Sequence, residues 1–123
     1  MSVQDIAGSR GPAKASTTIE TTASDGWHAS IGLYGEIDQA LAPALRGELQ
    51  RHIGAGRFFI RIDAGGVTSV DSTALDALVI GAALCARAHG SMILLNVPTR
   101  VRRIIEISGL DTVLLIDASV DRA

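Results

Sequence analysis

The stretch Arg61–Leu75 reads RIDAGGVTSVDSTAL, and the fold turns on it. It begins inside a predicted strand, Phe58–Ile62, in which Phe58, Phe59, Ile60 and Ile62 are apolar. Two adjacent glycines, Gly65 and Gly66, punctuate regular structure, so a turn is expected at Asp63–Gly66. Val67–Val70 then leads to Asp71-Ser72-Thr73 and to an apolar segment of helical length. Asp, Ser and Thr side chains accept the unpaired N–H groups of a helix's first turn. A helix is therefore expected from about Ser72 to Ala88, ending at His89-Gly90. Two hydroxyls and one carboxylate stand where a strand-loop unit hands over to a helix, and a helix N-terminus also accommodates a phosphate.

Upstream, Thr17–Thr22 is mostly β-branched and reads as an edge strand. Ser24-Asp25-Gly26 is a hairpin-type turn. Trp27–Tyr34 alternates, with Trp27, Ala29, Ile31 and Leu33 on one side, and Gly35–Asp38 closes that strand as a loop. Pro43 suits the first turn of a helix. Leu41, Leu45, Leu49 and Ile53 recur every four residues and give this helix one buried face, and Gly54-Ala55-Gly56 stops it.

Downstream, Met92–Val97 is a short apolar run of the kind found in buried strands. Pro98 opens a third helix with Val101, Ile104 and Ile105 inward and Arg100, Arg102 and Arg103 outward. Gly109 ends it, with Leu110 placed for a hydrophobic cap contact, and Val113–Ile116 is a last strand. The order β-β-α-β-α-β-α-β predicts a single α/β domain. Its central sheet is mostly parallel, an N-terminal hairpin strand is added, and helices pack on it. The domain is expected over residues 17–117, between a mobile N-terminal tail, 1–16, and a C-terminal tail, 118–123.

The 123 residues suit one core, and 47% apolar content fills it. Aromatics are only 3%, so the packing is aliphatic. A net charge of −2 gives no basic stripe for direct nucleic-acid binding. The single cysteine excludes an intrachain disulfide and fits a reducing compartment. The N-terminus lacks the apolar core of a signal peptide. The longest apolar-plus-Gly run, Ala77–Ala86, is far short of the ~20 residues of a membrane span. A soluble, cytoplasmic domain with no membrane partner is expected.

A ligand-binding or enzymatic role is the rival of a different class, and nothing in the sequence supports a pocket for it. Ser72 and Asp71 invite a hydrolase triad, but His89 is a whole predicted helix away from Ser72, about 25 Å at 1.5 Å per residue. A nucleophile and its base sit about 3 Å apart. His28 and His52 have no place in the predicted layout. There is no G-x-S-x-G elbow, Gly65-Gly66 is not a phosphate-binding P-loop, and no His or Cys pair has metal-ligand spacing. No enzyme activity, metal or cofactor is expected. Cys85 falls on an inward helix face. The Arg100, Arg102 and Arg103 group reads either as a solvated face or as a contact for an acidic partner. Asp38 reads as a loop residue, and Ser72 either as a helix cap or as a modification site.

At 100° per residue, Leu75, Leu78, Val79, Ala82, Cys85 and Ala86 share the core face of the Ser72 helix. Thr73, Asp76, Ile80, Leu84 and Arg87 fall opposite. A solvated face has no need of Ile80 and Leu84 one turn apart. Thr73, Asp76, Ile80 and Leu84 are therefore expected to form a docking patch with Ser72 at its edge.

Three motifs in order, Gly35-Glu36-Ile37-Asp38, Asp71-Ser72-Thr73-Ala74-Leu75 and Pro98 through Ile107-Ser108-Gly109-Leu110, resemble the anti-sigma factor antagonists of the STAS family. The resemblance covers roughly Thr17–Asp117. It implies that Ser72, directly after the motif aspartate Asp71, is a phosphorylation site, and that Asp38 lies near it at the partner surface. Thr73 stands where the family has a second serine, and is the second choice of acceptor. Ala74 stands where the family has glycine. The implied partners are an anti-sigma factor that is also a serine kinase of the histidine-kinase-like ATPase type, and a serine phosphatase. The implied role is release of a sigma factor, ended by phosphorylation. STAS domains also serve as subunits of lipid-transport ABC systems, bound to the ATPase.

Overall fold

The computed structural model of the protein describes residues 18–117, so the expected tails fall outside the described residues. Five strands form one sheet: β1 (Thr18–Ser24), β2 (His28–Ile37), β3 (Phe59–Val70), β4 (Ser91–Leu95) and β5 (Leu115–Ile116). They lie side by side in chain order. β1 is antiparallel to β2, and every later pairing is parallel. Three helices connect the parallel strands: α1 (Ala42–Gly54), α2 (Ser72–Arg87) and α3 (Thr99–Ile107). A short 3-10 turn, Leu110–Thr112, follows α3. This is the expected α/β domain with its added hairpin strand.

Right-handed crossovers that all step in the same direction deliver their helices to one face of a sheet. Side-chain burial agrees: Ile60, Ile62 and Ala64 on β3 are buried, whereas Phe59, Arg61 and Asp63 between them are exposed. The core is a single aliphatic cluster that draws Ile31 and Leu33 from β2, Leu45 and Leu49 from α1, and Ile105 from α3.

Two strands are longer than the sequence suggests. β2 continues through Gly35, Glu36 and Ile37, which had read as a loop, and β3 runs unbroken through the expected turn at Asp63–Gly66. The reason is pairing. Gly32 pairs with Asp63 and Tyr34 with Gly66, then Gly35 with Val67 and Glu36 with Ser69, so β3 carries an extra residue at each of two bulges. A bulge bends a strand without ending it. Gly66 is there to make room: a Cβ on it would stand 2.4 Å from Cδ1 of Tyr34, whose ring lies along the sheet. β4 pairs with β3 only as far as Asp63 and β1 with β2 only as far as Tyr34, so beyond these, among the described residues, β2 and β3 run on as a two-stranded ribbon.

Other expectations shift by smaller amounts. Trp27, placed inward by alternation, is 65% exposed, because the chain is still turning there. On α2 the buried side is Ala74, Leu75, Ala77, Leu78, Gly81 and Cys85. Val79 and Ala82 are half-buried and Ala86 is exposed, so the inner face is rotated toward the small residues. They let α1 approach closely: a Cβ on Gly81 would meet Cδ1 of Leu49 at 2.7 Å. Leu45 and Leu49 of α1 are buried, with Leu41 and Ile53 half-buried. On α3, Val101 and Ile105 are buried and Ile104 half-buried, while Arg100 and Arg103 are exposed and Arg102 is half-buried. Gly109, left-handed at φ 75°, follows it, and Leu110 packs against the core as expected. The last strand keeps only Leu115 and Ile116, because Val113 still belongs to the turn.

His52, unplaced by periodicity, is fully buried on α1. Arg57 Nε donates to its Nδ1 at 2.9 Å. A guanidinium only donates, so Nδ1 is the acceptor, the ring is neutral, and its proton sits on Nε2. Nε2 is 2.9 Å from Thr21 Oγ1, and the Thr21 hydroxyl donates to Glu48 Oε2 at 2.6 Å. Arg51 Nη2 donates to the same oxygen at 2.6 Å. The chain of bonds fastens edge strand β1 to α1. The bonds from Arg51 and Thr21 hold the Glu48 carboxyl down to about 2, while burial, with Arg51 and Arg57 nearby, lowers the His52 pKa.

Both shifts destabilise the fold in acid. The fold disfavours His52 protonation, so its contribution is complete above 6.5, the ordinary value, and falls as pH drops below it. Glu48 contributes above its ordinary 4.5 and loses that contribution toward about 2. The thermal midpoint is expected to be level above about pH 6.5 and to fall in two stages below it. His52→Gln should remove the first stage, as read by circular-dichroism melts across pH.

Candidate functional site

The two-stranded ribbon ends where the candidate residues collect. The Asp71 N–H donates to the Ile37 carbonyl at 3.2 Å, the last bond of the β2–β3 ladder. The chain then turns into α2, with Asp71 in extended conformation as its N-cap. Asp71 Oδ1 accepts the Ala74 N–H at 3.0 Å and the Thr73 hydroxyl at 2.6 Å. Its other oxygen, Oδ2, accepts the Gln39 N–H at 2.9 Å, from the loop after β2. One carboxylate therefore ties both loops together. The Thr73 hydroxyl, then the Ala74 N–H, hold the Asp71 carboxyl below its usual range, with the Gln39 N–H assisting.

Asp38 organises the neighbouring loop. Its Oδ1 accepts the Ala40 N–H at 3.1 Å, and its carbonyl accepts the N–H groups of Leu41 and Ala42 at 3.0 and 2.9 Å. The turn feeds α1, where Pro43 sits in the first turn as expected. A shallow depression of about 280 Å³ lies here, lined by Glu36, Asp38, Ala40 and Leu41.

The two hydroxyls at the start of α2 differ in state. Thr73 is half-buried, and its proton is given to Asp71. Ser72 is exposed, and its hydroxyl makes no hydrogen bond among the described residues. The carboxylate takes the cap role, which leaves Ser72 Oγ on the outside of a turn whose N–H groups and dipole favour negative charge.

The structure brings Asp38, Asp71, Ser72 and Thr73 together at one end of the sheet, at the carboxyl ends of β2 and β3. Asp76, Ile80 and Leu84 run away from it along α2, with Leu84 about 18 Å from Ser72 at 1.5 Å per residue. Asp76 is exposed, Ile80 is 41% exposed and Leu84 is half-buried. The contribution of Gln39 was not legible in the sequence, because it acts through a backbone N–H that any residue but proline supplies.

None of the histidines is built into this end. His28 contacts Asp25 beside the β1–β2 turn, His52 is locked on α1, and His89 lies beyond the far end of α2. Among the described residues no group of three or more His, Cys, Asp or Glu is placed to hold a metal. Cys85 is buried, and burial pushes its thiol up to about 11. No helix is long and apolar enough to cross a membrane among the described residues.

A mostly parallel five-stranded sheet in chain order, one antiparallel edge strand and an aspartate-capped serine at the start of the helix after β3 define a STAS domain. The chain belongs to that family: the family described as "Mlab, STAS domain" matches residues 20–117. No curated protein sequence matches it. Among solved structures it is similar to an anti-sigma factor antagonist from Mycobacterium paratuberculosis. That match has 25% identity and a TM-score of 0.74, over 89% of this chain and 92% of the other. It shares the fold of the Bacillus cell-fate determinant SpoIIAA in its phosphorylated form, at 18% identity and a TM-score of 0.66, over 85% of this chain and 98% of the other. The unphosphorylated form of the SpoIIAA antagonist matches with a TM-score of 0.67 at 15% identity, over 85% of this chain and 96% of that one.

Asp71→Ala removes the cap of α2 and the tie to Gln39 in one step. The cap alone is worth about 1 kcal/mol, which corresponds to a fall in melting temperature of about 5 °C for a domain of this size. Asp71→Asn keeps an acceptor oxygen and should recover part of that loss in the same melting experiment.

Proposed function

We propose that this chain is an anti-sigma factor antagonist. It binds an anti-sigma factor that is also a serine kinase of the histidine-kinase-like ATPase type, releases a sigma factor, and is switched off when that kinase phosphorylates Ser72. A serine phosphatase returns it to the active form. The observation that carries the reading is the contrast between the two hydroxyls: Thr73 is tied into the Asp71 cap, whereas Ser72 is exposed on the same turn. Phosphorylation of Ser72 leaves the cap bonds intact, while a phosphate on Thr73 costs the 2.6 Å bond to Asp71.

The switch is electrostatic. A phosphate adds about −1.5 to −2 charges. On Ser72 it sits against the N–H groups of the first turn of α2, so the fold tolerates it. It also stands beside the Asp71 carboxylate, and a partner surface shaped for a neutral hydroxyl then meets concentrated negative charge. A loss of ~3 kcal/mol weakens binding more than a hundredfold. The docking surface in this reading is Asp38, Asp71, Ser72 and Thr73 at that end of the sheet, continued along α2 by Asp76, Ile80 and Leu84. It acts in the cytoplasm, with no direct contact to nucleic acid or membrane.

The matching family is described by Mlab rather than by sigma-factor control, which favours a second reading. In it the chain is the STAS subunit of a lipid-transport ABC system and the same surface binds the ATPase. Affinity capture from the native cell separates the two. A histidine-kinase-like ATPase supports the switch, and a transporter ATPase supports the subunit.

Incubation with the captured kinase and ATP should label the wild type and leave Ser72→Ala unlabelled. Phosphate mapped by fragmentation to Thr73 alone would move the acceptor by one residue. Replacing Ile80 and Leu84 together by polar residues should weaken partner binding strongly, since each side chain contributes roughly 1–2 kcal/mol when buried. Leu84 is half-buried, so a modest fall in melting temperature is expected. A large fall with unchanged affinity would place the interface elsewhere.

A further inference from the structure

Among the described residues, no helix packs on the second face of the sheet. Parallel sheets are almost always covered on both faces, yet here the helices cover one. The register places Ser30, Arg61, Ile93 and Leu115 in one row across the open face, and Gly32, Asp63 and Leu95 in the next. Leu115 is 56% exposed, and Ile93 and Leu95 are half-buried. The aromatic residues point the same way. The chain has one Trp, one Tyr and two Phe, and none of the four belongs to the aliphatic core. Tyr34 and Phe59 are each 37% exposed. Tyr34 lies flat on the open face, over Gly32 and Gly66, where any side chain would collide with its ring. Exposed aromatic residues with an arginine among them are the composition of an interface centre.

The charges on this face identify what covers it. Arg61 and Asp63 are both exposed, two residues apart on the central strand, and so point the same way. Arg61 has no hydrogen-bond or ion-pair partner among the described residues. Asp63 uses Oδ1 to accept from Gly65 and Asn96, which leaves Oδ2 as a further acceptor. A surface with one cation and one anion in line is complementary to its own copy turned through a half-circle. Take a two-fold axis parallel to the sheet, perpendicular to β3 and passing between these two residues. It sets Arg61 of each copy over Asp63 of the other. The same rotation sets Ile93 over Leu95 on β4, because Arg61 pairs with Ile93 and Asp63 with Leu95.

We propose that the open sheet face is a self-association surface, on which a second copy of this chain packs face to face with Arg61–Asp63 pairs at its centre. It lies on the opposite side of the sheet from α2, and it holds whether or not Ser72 is a switch.

Sedimentation velocity of the full chain over a concentration series tests it. The wild type is expected to form a dimer. Arg61→Asp and Asp63→Arg should each raise the dimer Kd by about tenfold or more, because like charges then face one another. An equimolar mixture of the two variants should dimerise again, since each supplies the charge the other lacks. Leu95→Ser, which leaves the charges and the Asn96 bond in place, should weaken the dimer in the same direction and decides the matter if Asp63→Arg does not fold. A wild type that stays monomeric at every concentration, as when residues 1–17 of the same chain cover the face, would overturn the proposal. So would a dimer indifferent to Arg61→Asp and Leu95→Ser, or folded variants that fail to pair when mixed.

Discussion

Parallel pairing between β2 and β3, carried beyond the end of β4, holds the candidate site where it is. Gly32 pairs with Asp63 and Ile37 with Val70, so β3 spends two more residues than β2 over the same length. The bulges let β3 keep its hydrogen bonds while it bends. Without them the ladder would part company near Tyr34, and the loops that carry Asp38 and Asp71 would no longer finish side by side. The Asp71 N–H closes the ladder on Ile37, and the Asp71 carboxylate fastens the neighbouring loop through Gln39. Strand pairing, helix capping and loop docking thus meet at one residue.

That arrangement separates structural from chemical duty within one turn of helix. A half-buried carboxylate accepts the first-turn N–H of Ala74 and the hydroxyl of Thr73. Ser72 is then not needed as a cap. A group excused from structural work can gain or lose a charge without disturbing the fold, which is what a phosphorylation switch needs. Ala74 strengthens the division, since alanine starts a helix more firmly than glycine.

The sheet itself is asymmetric. Crossovers of one hand and one direction place the helices on one face and, among the described residues, none on the other. On the buried side, a neutral His52 between Arg57 and Thr21 ties edge strand β1 to α1, so the hairpin strand is anchored by polar bonds as well as by the ladder. On the open side Tyr34 and Phe59 stand near Arg61 and Asp63. The aliphatic core and the aromatic surface are two consequences of the same topology.

The sequence alone was enough for the order of elements, the start of α2 at Ser72 and the inward residues of α3. These depend on local signals: apolar period, caps and the positions of Gly and Pro. Trp27, the lengths of β2 and β3, and the rotation of the α2 face were not legible. Each is decided by a neighbour distant in sequence. Gly65-Gly66 reads as a turn until Tyr34 is known to lie over Gly66, and Ala74, Ala77 and Gly81 read as filler until α1 packs on them. His52 had no place in the periodic pattern because its partners, Thr21 and Arg57, come from the edge strand and from the loop after α1. Alternation could place Arg61 and Asp63 on the same side of a strand, but only the sheet's strand order shows that side to carry no helix among the described residues. Local chemistry chooses what each segment becomes. Contacts between segments choose where it stops and which of its sides meets water.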